Sequence, residues 1–141
     1  MLRLVRACPA RHKLLVLDVA WPVADPQLGI LSNDVAGRIG GELAAVEDPD
    51  RLVLCTCSPG QVALASEELG RSVFGYYFEQ ALRGWADGFG PEGKRDGRVS
   101  VRELAAMVAA RVDRWAIGNR GARQTPVLLG SGEDFDLVAM P

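Results

Sequence analysis

The sequence predicts an α/β fold in which a parallel sheet is flanked by helices. Residues 52–57 (LVLCTC) form an unbroken apolar run, which predicts a strand that is buried on both faces, and residues 13–18 (KLLVLD) predict a second buried strand that ends in a carboxylate. An amphipathic segment follows each run, and each segment begins at a residue type that commonly caps a helix. Because strands that alternate with helices usually pair in parallel, we expect parallel pairing and helices on both faces of the sheet.

The composition limits the classes of function. The chain has 141 residues, of which 48% are hydrophobic and 24% are charged, so it can form one domain with a buried core. The formal net charge of −2 argues against a nucleic-acid partner. No apolar run approaches the roughly 20 residues that a membrane helix needs, and the N-terminus lacks a signal-peptide pattern. Cys8, Cys55 and Cys57 form no even disulfide framework, which predicts reduced thiols and a cytoplasmic location. We expect no cofactor.

The first part of the chain predicts two helical segments around one strand. Residues 1–8 have the pattern of the last turns of a helix, and domains rarely begin there, so we expect a boundary that cuts through a larger fold. The first strand ends at Asp18. Residues 19–31 are rich in Pro, Asp and Gly and are expected to form a loop. Asn33 is expected to cap a helix over residues 34–47.

The rest of the chain predicts two capped helices and further strands. Ser72 is expected to cap a helix whose apolar stripe is formed by Val73, Phe74, Tyr77, Phe78, Ala81, Leu82 and Trp85. Ser100 and Glu103 have the spacing of a capping box, which predicts the start of the next helix. Residues 126–130 predict a third strand, and residues 135–140 predict either a fourth strand or a docked tail.

Two residues at the ends of the predicted strands have the chemistry of a site. Asp18 suits a cationic ligand or a metal, or else caps a loop. Cys57 ends a strand, where nucleophiles of α/β enzymes often lie, but cysteines in buried strands are commonly core residues. A thiol nucleophile needs a base, and His12 is the only histidine. Its place between Arg11 and Lys13, just before a strand, is typical of a solvated strand entry.

Several segments in order resemble the second half of the caspase-like family, which comprises caspases, metacaspases and bacterial relatives. Residues 57–60 (CSPG) and 70–74 (GRSVF) are similar to the Ala-Pro-Gly and Gly-Ser-x-Phe motifs that flank the substrate loop of caspases. Residues 74–87 (FGYYFEQALRGWAD), 96–104 (DGRVSVREL) and 123–126 (RQTP) are similar to later segments of bacterial members. The resemblance implies a caspase-like three-layer α-β-α fold with a partial parallel sheet, of which this chain is a single incomplete domain.

The resemblance also implies that the catalytic strand is degenerate. In metacaspases this strand ends in Asp-x-Cys, whereas this chain has Asp18 followed by Ala20 at the nucleophile position. Asp18 corresponds to the acidic residue that helps metacaspases hold a basic substrate side chain. The His-Gly segment that family members carry before this strand is not found here. The substrate loop corresponds to Ala63, Leu64 and Ala65, which lack the arginine that gives caspases their preference for aspartate.

Three interpretations follow from these patterns. The first is a caspase-like domain without peptidase activity, which acts as a structural or interaction half, binds a peptide or protein partner, and self-associates through an uncovered sheet edge. The second is part of a cysteine-type endopeptidase in which Cys57 is the nucleophile. The third is an unrelated α/β ligand-binding module. None of the three involves nucleic acid or a membrane.

Overall fold

A computed structural model describes residues 2–19, 22–25, 30–46, 48–91 and 93–140, with residues 22–25 and 30–33 described through their backbone alone. The elements in chain order are α1 (Leu2–Ala7), β1 (Lys13–Leu17), β2 (Pro22–Asp25), β3 (Ile30–Asn33), α2 (Val35–Ala45), β4 (Arg51–Cys55), β5 (Ala65–Ser66), β6 (Arg71–Ser72), α3 (Val73–Gln80), a π-helical turn (Ala81–Trp85), β7 (Arg98–Ser100), α4 (Val101–Arg120), β8 (Val127–Leu129) and β9 (Asp136–Ala139). No helix in these ranges is long and apolar enough to cross a membrane.

The centre of the molecule is a small mixed sheet with the strand order β1–β4–β8. Successive side chains of a strand point to opposite faces, and here they join two different hydrophobic clusters. One cluster contains residues of α3, α4 and the sheet, with Leu14, Val16, Leu54 and Leu128 as the contributions of the strands. The other contains residues of α2 and the sheet, with Leu15, Leu17, Val53, Cys55, Val127 and Leu129 as the contributions of the strands. Helices therefore cover both faces, as the sequence predicts.

The prediction of parallel pairing is confirmed for β1 with β4 and wrong for β8. Strand β8 runs antiparallel to β4, with Val127 opposite Cys55. The reason lies in the two helices that connect these strands. Helix α3 begins near Asp18, at the edge where β1 ends, and α4 ends four residues before Gln124, which contacts Thr56 at the same edge. Two helices return the chain to the edge that it left, so the next strand must run in the opposite direction.

The predicted helix starts at Ser72 and Ser100 are confirmed. The Ser72 hydroxyl accepts a hydrogen bond from the amide of Gly75 at 2.9 Å. Ser100 and Glu103 form a complete capping box, in which each side chain accepts a hydrogen bond from the backbone amide of the other residue. These caps satisfy amide groups that would otherwise have no partner in the first turn.

Three local predictions are wrong. The segment 19–31 contains more than a loop, because β2 and β3 form an antiparallel pair. Asn33 ends β3, and the N-cap of α2 is Asp34. The side chain of Trp85 is 64% exposed, because Gly84 has a positive φ of 99° and turns the chain away from the helical path before the stripe is complete.

Of the two alternatives for residues 135–140, the structure shows the strand. It covers Asp136–Ala139 and pairs with β7, outside the central sheet.

A buried cluster of charges lies at the amino edge of the parallel strand pair. The pairing register places Lys13 beside Arg51, and neighbouring like charges destabilise a sheet. Asp48 lies against both, with its Oδ2 atom 3.2 Å from Lys13 Nζ and 4.0 Å from Arg51 Nη1. Arg51 is only 2% exposed, and its Nη2 atom donates to the carbonyl oxygen of Val46 at 2.7 Å. Asp48 is therefore the anion that makes this pairing possible.

We expect Asp48→Asn to lower the free energy of unfolding by about 3–5 kcal/mol, because it leaves two buried cations without a counter-charge. Urea denaturation at neutral pH measures the change. The matched control is Asp50→Asn, which removes an exposed carboxylate two residues away and should shift the midpoint little. Equal midpoints for the two variants would show that Asp48 does not hold the strands together.

Candidate binding site at the carboxyl edge of the sheet

The predicted site residues that the structure describes lie near one edge of the sheet. Leu17 pairs with Cys55, so β1 and β4 end at the same edge of the sheet, and the antiparallel β8 begins there. The amide of Thr56 continues the ladder by donating to the carbonyl oxygen of Leu17 at 3.2 Å. Carboxyl ends of parallel strands are where α/β proteins commonly bind ligands. We therefore treat this carboxyl edge as the candidate site.

Asp18 is the exposed carboxylate of the carboxyl edge. Its Oδ2 atom accepts a hydrogen bond from the hydroxyl of Ser72, the N-cap of α3. Gly75 lies in the first turn of the same helix, and a Cβ atom there would be 3.3 Å from Asp18 Oδ2. The carboxylate is thus held beside a helix N-terminus, which favours its negative charge. It remains open to a cationic group from solvent.

Gln124 fixes the loop that follows β4. Its side chain is fully buried, and its Nε2 atom donates to the backbone oxygen of Thr56 at 3.1 Å and to the hydroxyl oxygen at 3.2 Å. Its Oε1 atom accepts a hydrogen bond from the amide of Leu64 at 3.0 Å. One side chain therefore joins the two ends of the loop 56–64 to the segment that enters β8.

A second set of hydrogen bonds fixes the middle of this loop. The amide of Thr125 donates to Gln61 Oε1 at 2.6 Å, and the hydroxyl of Ser58 donates to the carbonyl oxygen of Thr125 at 2.9 Å. The Thr125 hydroxyl in turn donates to Asp113 Oδ1, on α4, at 3.0 Å. With its ends and middle bonded, the loop has a defined shape before any ligand arrives, which reduces the entropy cost of binding.

Ala63 and Leu64 form the end of this loop, and Ala65 follows it towards α3. The carbonyl oxygen of Leu64 accepts a hydrogen bond from the amide of Val73 at 3.0 Å, and Ala65 begins the short β5–β6 hairpin opposite Ser72. Ala63 and Leu64 are half-buried, whereas Ala65 is exposed. The structure thus brings Ala65 and Asp18 next to the same residue, Ser72.

Both thiols at this edge are buried. Cys55 is 0% exposed and Cys57 is 1% exposed. Burial, and to a lesser extent the neighbouring Cys57, raises the pKa of the Cys55 thiol to about 11. The Sγ atom of Cys57 donates to the carbonyl oxygen of Gln61 at 3.5 Å. This environment agrees with small core residues more closely than with an exposed nucleophile.

His12 lies at the opposite edge of the sheet from Cys57. It immediately precedes β1, whereas Cys57 follows the end of β4, so the five-residue strands separate them by roughly 16 Å. The imidazole stacks on Phe135 with 4.9 Å between ring centroids. Proton transfer requires hydrogen-bond contact, so His12 is not placed to serve as the base of Cys57.

The remaining predicted position, Ala20, lies outside the described residues. Among the residues that are described, no group of three or more His, Cys, Asp or Glu side chains is arranged to hold a metal ion. The sequence pointed to Gln124 and Thr125 only as part of a resemblance, and their hydrogen-bonding roles were not predicted. A polar pair directly before a buried strand, close to a proline, was the signal that could have identified them.

Comparisons of this chain with family models, with curated proteins and with solved structures found no match.

We expect the buried Cys55 thiol to make stability fall at alkaline pH. The folded state holds this proton more tightly than the unfolded chain does. The thiol therefore contributes its full stabilisation below pH 9.0, the ordinary pKa, and this stabilisation is lost as the pH rises towards about 11. Urea unfolding under reducing conditions at about pH 7.5 and about pH 10.5 should show a loss roughly 2 kcal/mol larger for the native chain than for Cys55→Ala. Equal losses in the two proteins would contradict this assignment.

Proposed function

We propose that this chain is a caspase-like domain, with a three-layer α-β-α arrangement, that lacks peptidase activity and binds a peptide segment of a protein partner through a basic side chain. The observation that carries the proposal is the exposed Asp18 carboxylate, oriented by Ser72 at the carboxyl edge beside a loop of fixed shape. The sequence resemblance independently relates Asp18 to an acidic residue that holds basic side chains.

The charges next to Asp18 support a basic ligand. The β5–β6 hairpin turn contains Glu67 and Glu68, both exposed, and neither carboxylate has a hydrogen-bond or ion-pair partner within the described part of the chain. The one arginine of this hairpin, Arg71, forms an ion pair with Glu79 on α3. The unpaired charges of this region are therefore negative, which attracts a cationic segment and selects against an acidic one.

The chain segment beside Asp18 suits an extended peptide. In the described ranges β5 pairs with no strand other than β6, and Ala65 at its start is exposed, so we place an extended peptide along this segment. Ala63 and Ala65 have small side chains that leave room for a peptide to approach. Ligand side chains would alternate along such an edge, so a basic residue would meet Asp18 while its neighbours contact the loop.

The thiols support binding rather than cleavage. Cys57 does follow β4, the middle strand of the sheet, which is the position that the endopeptidase interpretation requires. Its sulfur is buried, however, and His12 lies at the other edge. Thiol catalysis needs hydrogen-bond contact between the sulfur and its base, and the only histidine of the chain is too far from Cys57 to make that contact.

We expect a fluorescent extended peptide with a central arginine to bind the native chain, and Asp18→Asn to weaken that binding about tenfold. The asparagine keeps the bond to Ser72 but removes the charge that the guanidinium meets. Fluorescence anisotropy at low salt measures both affinities, with Asp50→Asn as the charge-matched control. A peptide carrying citrulline in place of arginine should bind the native chain as weakly as the arginine peptide binds Asp18→Asn.

Two outcomes would contradict this function. One is equal affinity of the native chain for the arginine and citrulline peptides. The other is hydrolysis of the arginine peptide that Cys57→Ala abolishes, which would establish the endopeptidase interpretation instead.

The end strand β1 supports the proposal of self-association. Four of its five residues are aliphatic, yet all five are only half-buried. Lys13 N bonds to Asp50 O and Leu17 O accepts from Thr56 N, so in this parallel ladder Lys13, Leu15 and Leu17 face β4. The backbone groups of Leu14 and Val16 face away from it. No described strand pairs with that outer edge, so a second copy of the chain can add its own β1 there.

We expect the native chain to be dimeric by light scattering at high concentration and Val16→Pro to be monomeric. Proline removes the outward amide of Val16 while leaving the bonds to β4 intact. Val16→Ala is the matched control, because it also shortens the side chain but keeps the amide, and it should remain dimeric. A native chain that is monomeric at every concentration would refute this mode of association.

A further inference from the structure

A cavity of about 570 Å³, whose lining does not include Asp18, lies between α4, the start of β8, the loop residues 89–91 and 93–96, and residues 134–136. Its volume is in the range of cavities that bind small molecules. None of the interpretations above gives it a role.

The floor of the cavity is apolar. Ala105, Ala106 and Ala109 of α4 form one side, and Pro126, Val127 and Leu128 form the other. The three alanines lie within four residues of one another on the helix, and their small side chains create the space that larger residues would fill. Burying an aliphatic group against this floor releases ordered water and favours binding.

The loop wall of the cavity is held in place by one buried carboxylate. Glu103 Oε1 accepts hydrogen bonds from the amides of Gly88 at 3.0 Å and Lys94 at 2.9 Å, and Oε2 accepts one from Ser100 at 3.0 Å. At Gly90 the loop approaches α4 closely, because a Cβ atom there would lie 3.3 Å from Ala106 Cβ. The wall is therefore anchored at several points and keeps the cavity open.

The aspartates that line the cavity each form a hydrogen bond or an ion pair within the protein. Asp136 forms an ion pair with Arg98 at 2.6 Å, which also raises the pKa of that guanidinium. Asp134 Oδ1 accepts the amides of Arg102 at 3.0 Å and Phe135 at 3.1 Å. Asp96 Oδ1 accepts the amide of Arg98 at 3.0 Å. Asp136 therefore has a cation as its partner, whereas Asp96 and Asp134 have backbone amides as theirs.

The two cations that line the cavity, Lys94 and Arg102, have no carboxylate partner in the described part of the chain. Neither the Lys94 ammonium nor the Arg102 guanidinium forms an ion pair with any described residue, and the only side-chain bond of Arg102 is a 3.5 Å contact from Nη2 to the carbonyl oxygen of Gly132. Both side chains have donors left for a ligand. Arg102 also lies in the first turn of α4, where the helix dipole favours an anion.

We propose that this cavity binds a small amphiphile that has an aliphatic body and one carboxylate. The aliphatic body lies on the alanine and β8 floor, and the carboxylate bonds to Lys94 and Arg102. A carboxylate matches both donors, and a guanidinium binds it through two parallel hydrogen bonds.

Calorimetric titration of the native chain tests this site with octanoate, octanol and octylammonium, which share one aliphatic chain and differ in charge. Octanoate should bind at one site per chain, at least about tenfold more tightly than the other two. Arg102→Ser should weaken octanoate binding about tenfold, whereas Arg114→Ser, an exposed arginine further along α4, should leave it unchanged. Ala109→Phe should abolish binding by filling the floor.

The proposal is overturned if octanol or octylammonium binds as tightly as octanoate, if octanoate does not bind, or if Arg102→Ser and Arg114→Ser behave alike. The thermal unfolding midpoint of Ala109→Phe shows whether that variant is folded, and the Arg102→Ser comparison decides the matter if it is not. Asp18→Asn should bind octanoate like the native chain, which separates this site from the peptide site.

Discussion

The contact of Asp48 with Lys13 and Arg51 is the constraint on which the rest of the structure depends. The register of β1 against β4 places two cations side by side at the amino edge of the sheet, where both side chains are buried. Without an anion between them, the repulsion of these two cations would oppose this register. A slip by one residue exchanges the faces of a strand, so the charge cluster also decides which side chains of β1 meet α2 and which meet α3 and α4.

The same register has its chemical consequence at the other end of the strands. Because Leu17 pairs with Cys55, Asp18 and Thr56 follow the ends of β1 and β4 at the same edge. The loop after Thr56 therefore begins next to the Asp18 carboxylate. Helix α3 then presents Ser72 to Asp18, while α4 returns the chain so that Gln124 can bond to Thr56 and Leu64. The carboxyl edge is thus built from three separate parts of the chain, each brought there by one element of the core.

Local signals predicted the caps of α3 and α4 and the two leading strands. Ser72, Ser100 and Glu103 act through bonds within one turn, and the apolar runs of β1 and β4 reflect packing against helices on both faces, so short windows of sequence contain the information. The direction of β8 depends on how α3 and α4 pack together, which no short window records. The burial of Cys57 depends on the packing of whole elements, and the bond of Gln124 to Thr56 joins residues more than sixty positions apart. The sequence could therefore suggest the chemistry of these residues but not their contacts.

The candidate peptide site and the cavity beside α4 both follow from this arrangement, but the carboxyl edge depends directly on the parallel pairing of β1 with β4. Hydrogen-bond scalar couplings in the isotopically labelled protein measure that pairing in solution. The account predicts couplings from the Thr56 amide nitrogen to the Leu17 carbonyl carbon and from the Lys13 amide nitrogen to the Asp50 carbonyl carbon. Couplings that join β1 to β4 in another register, or in the antiparallel direction, would contradict it.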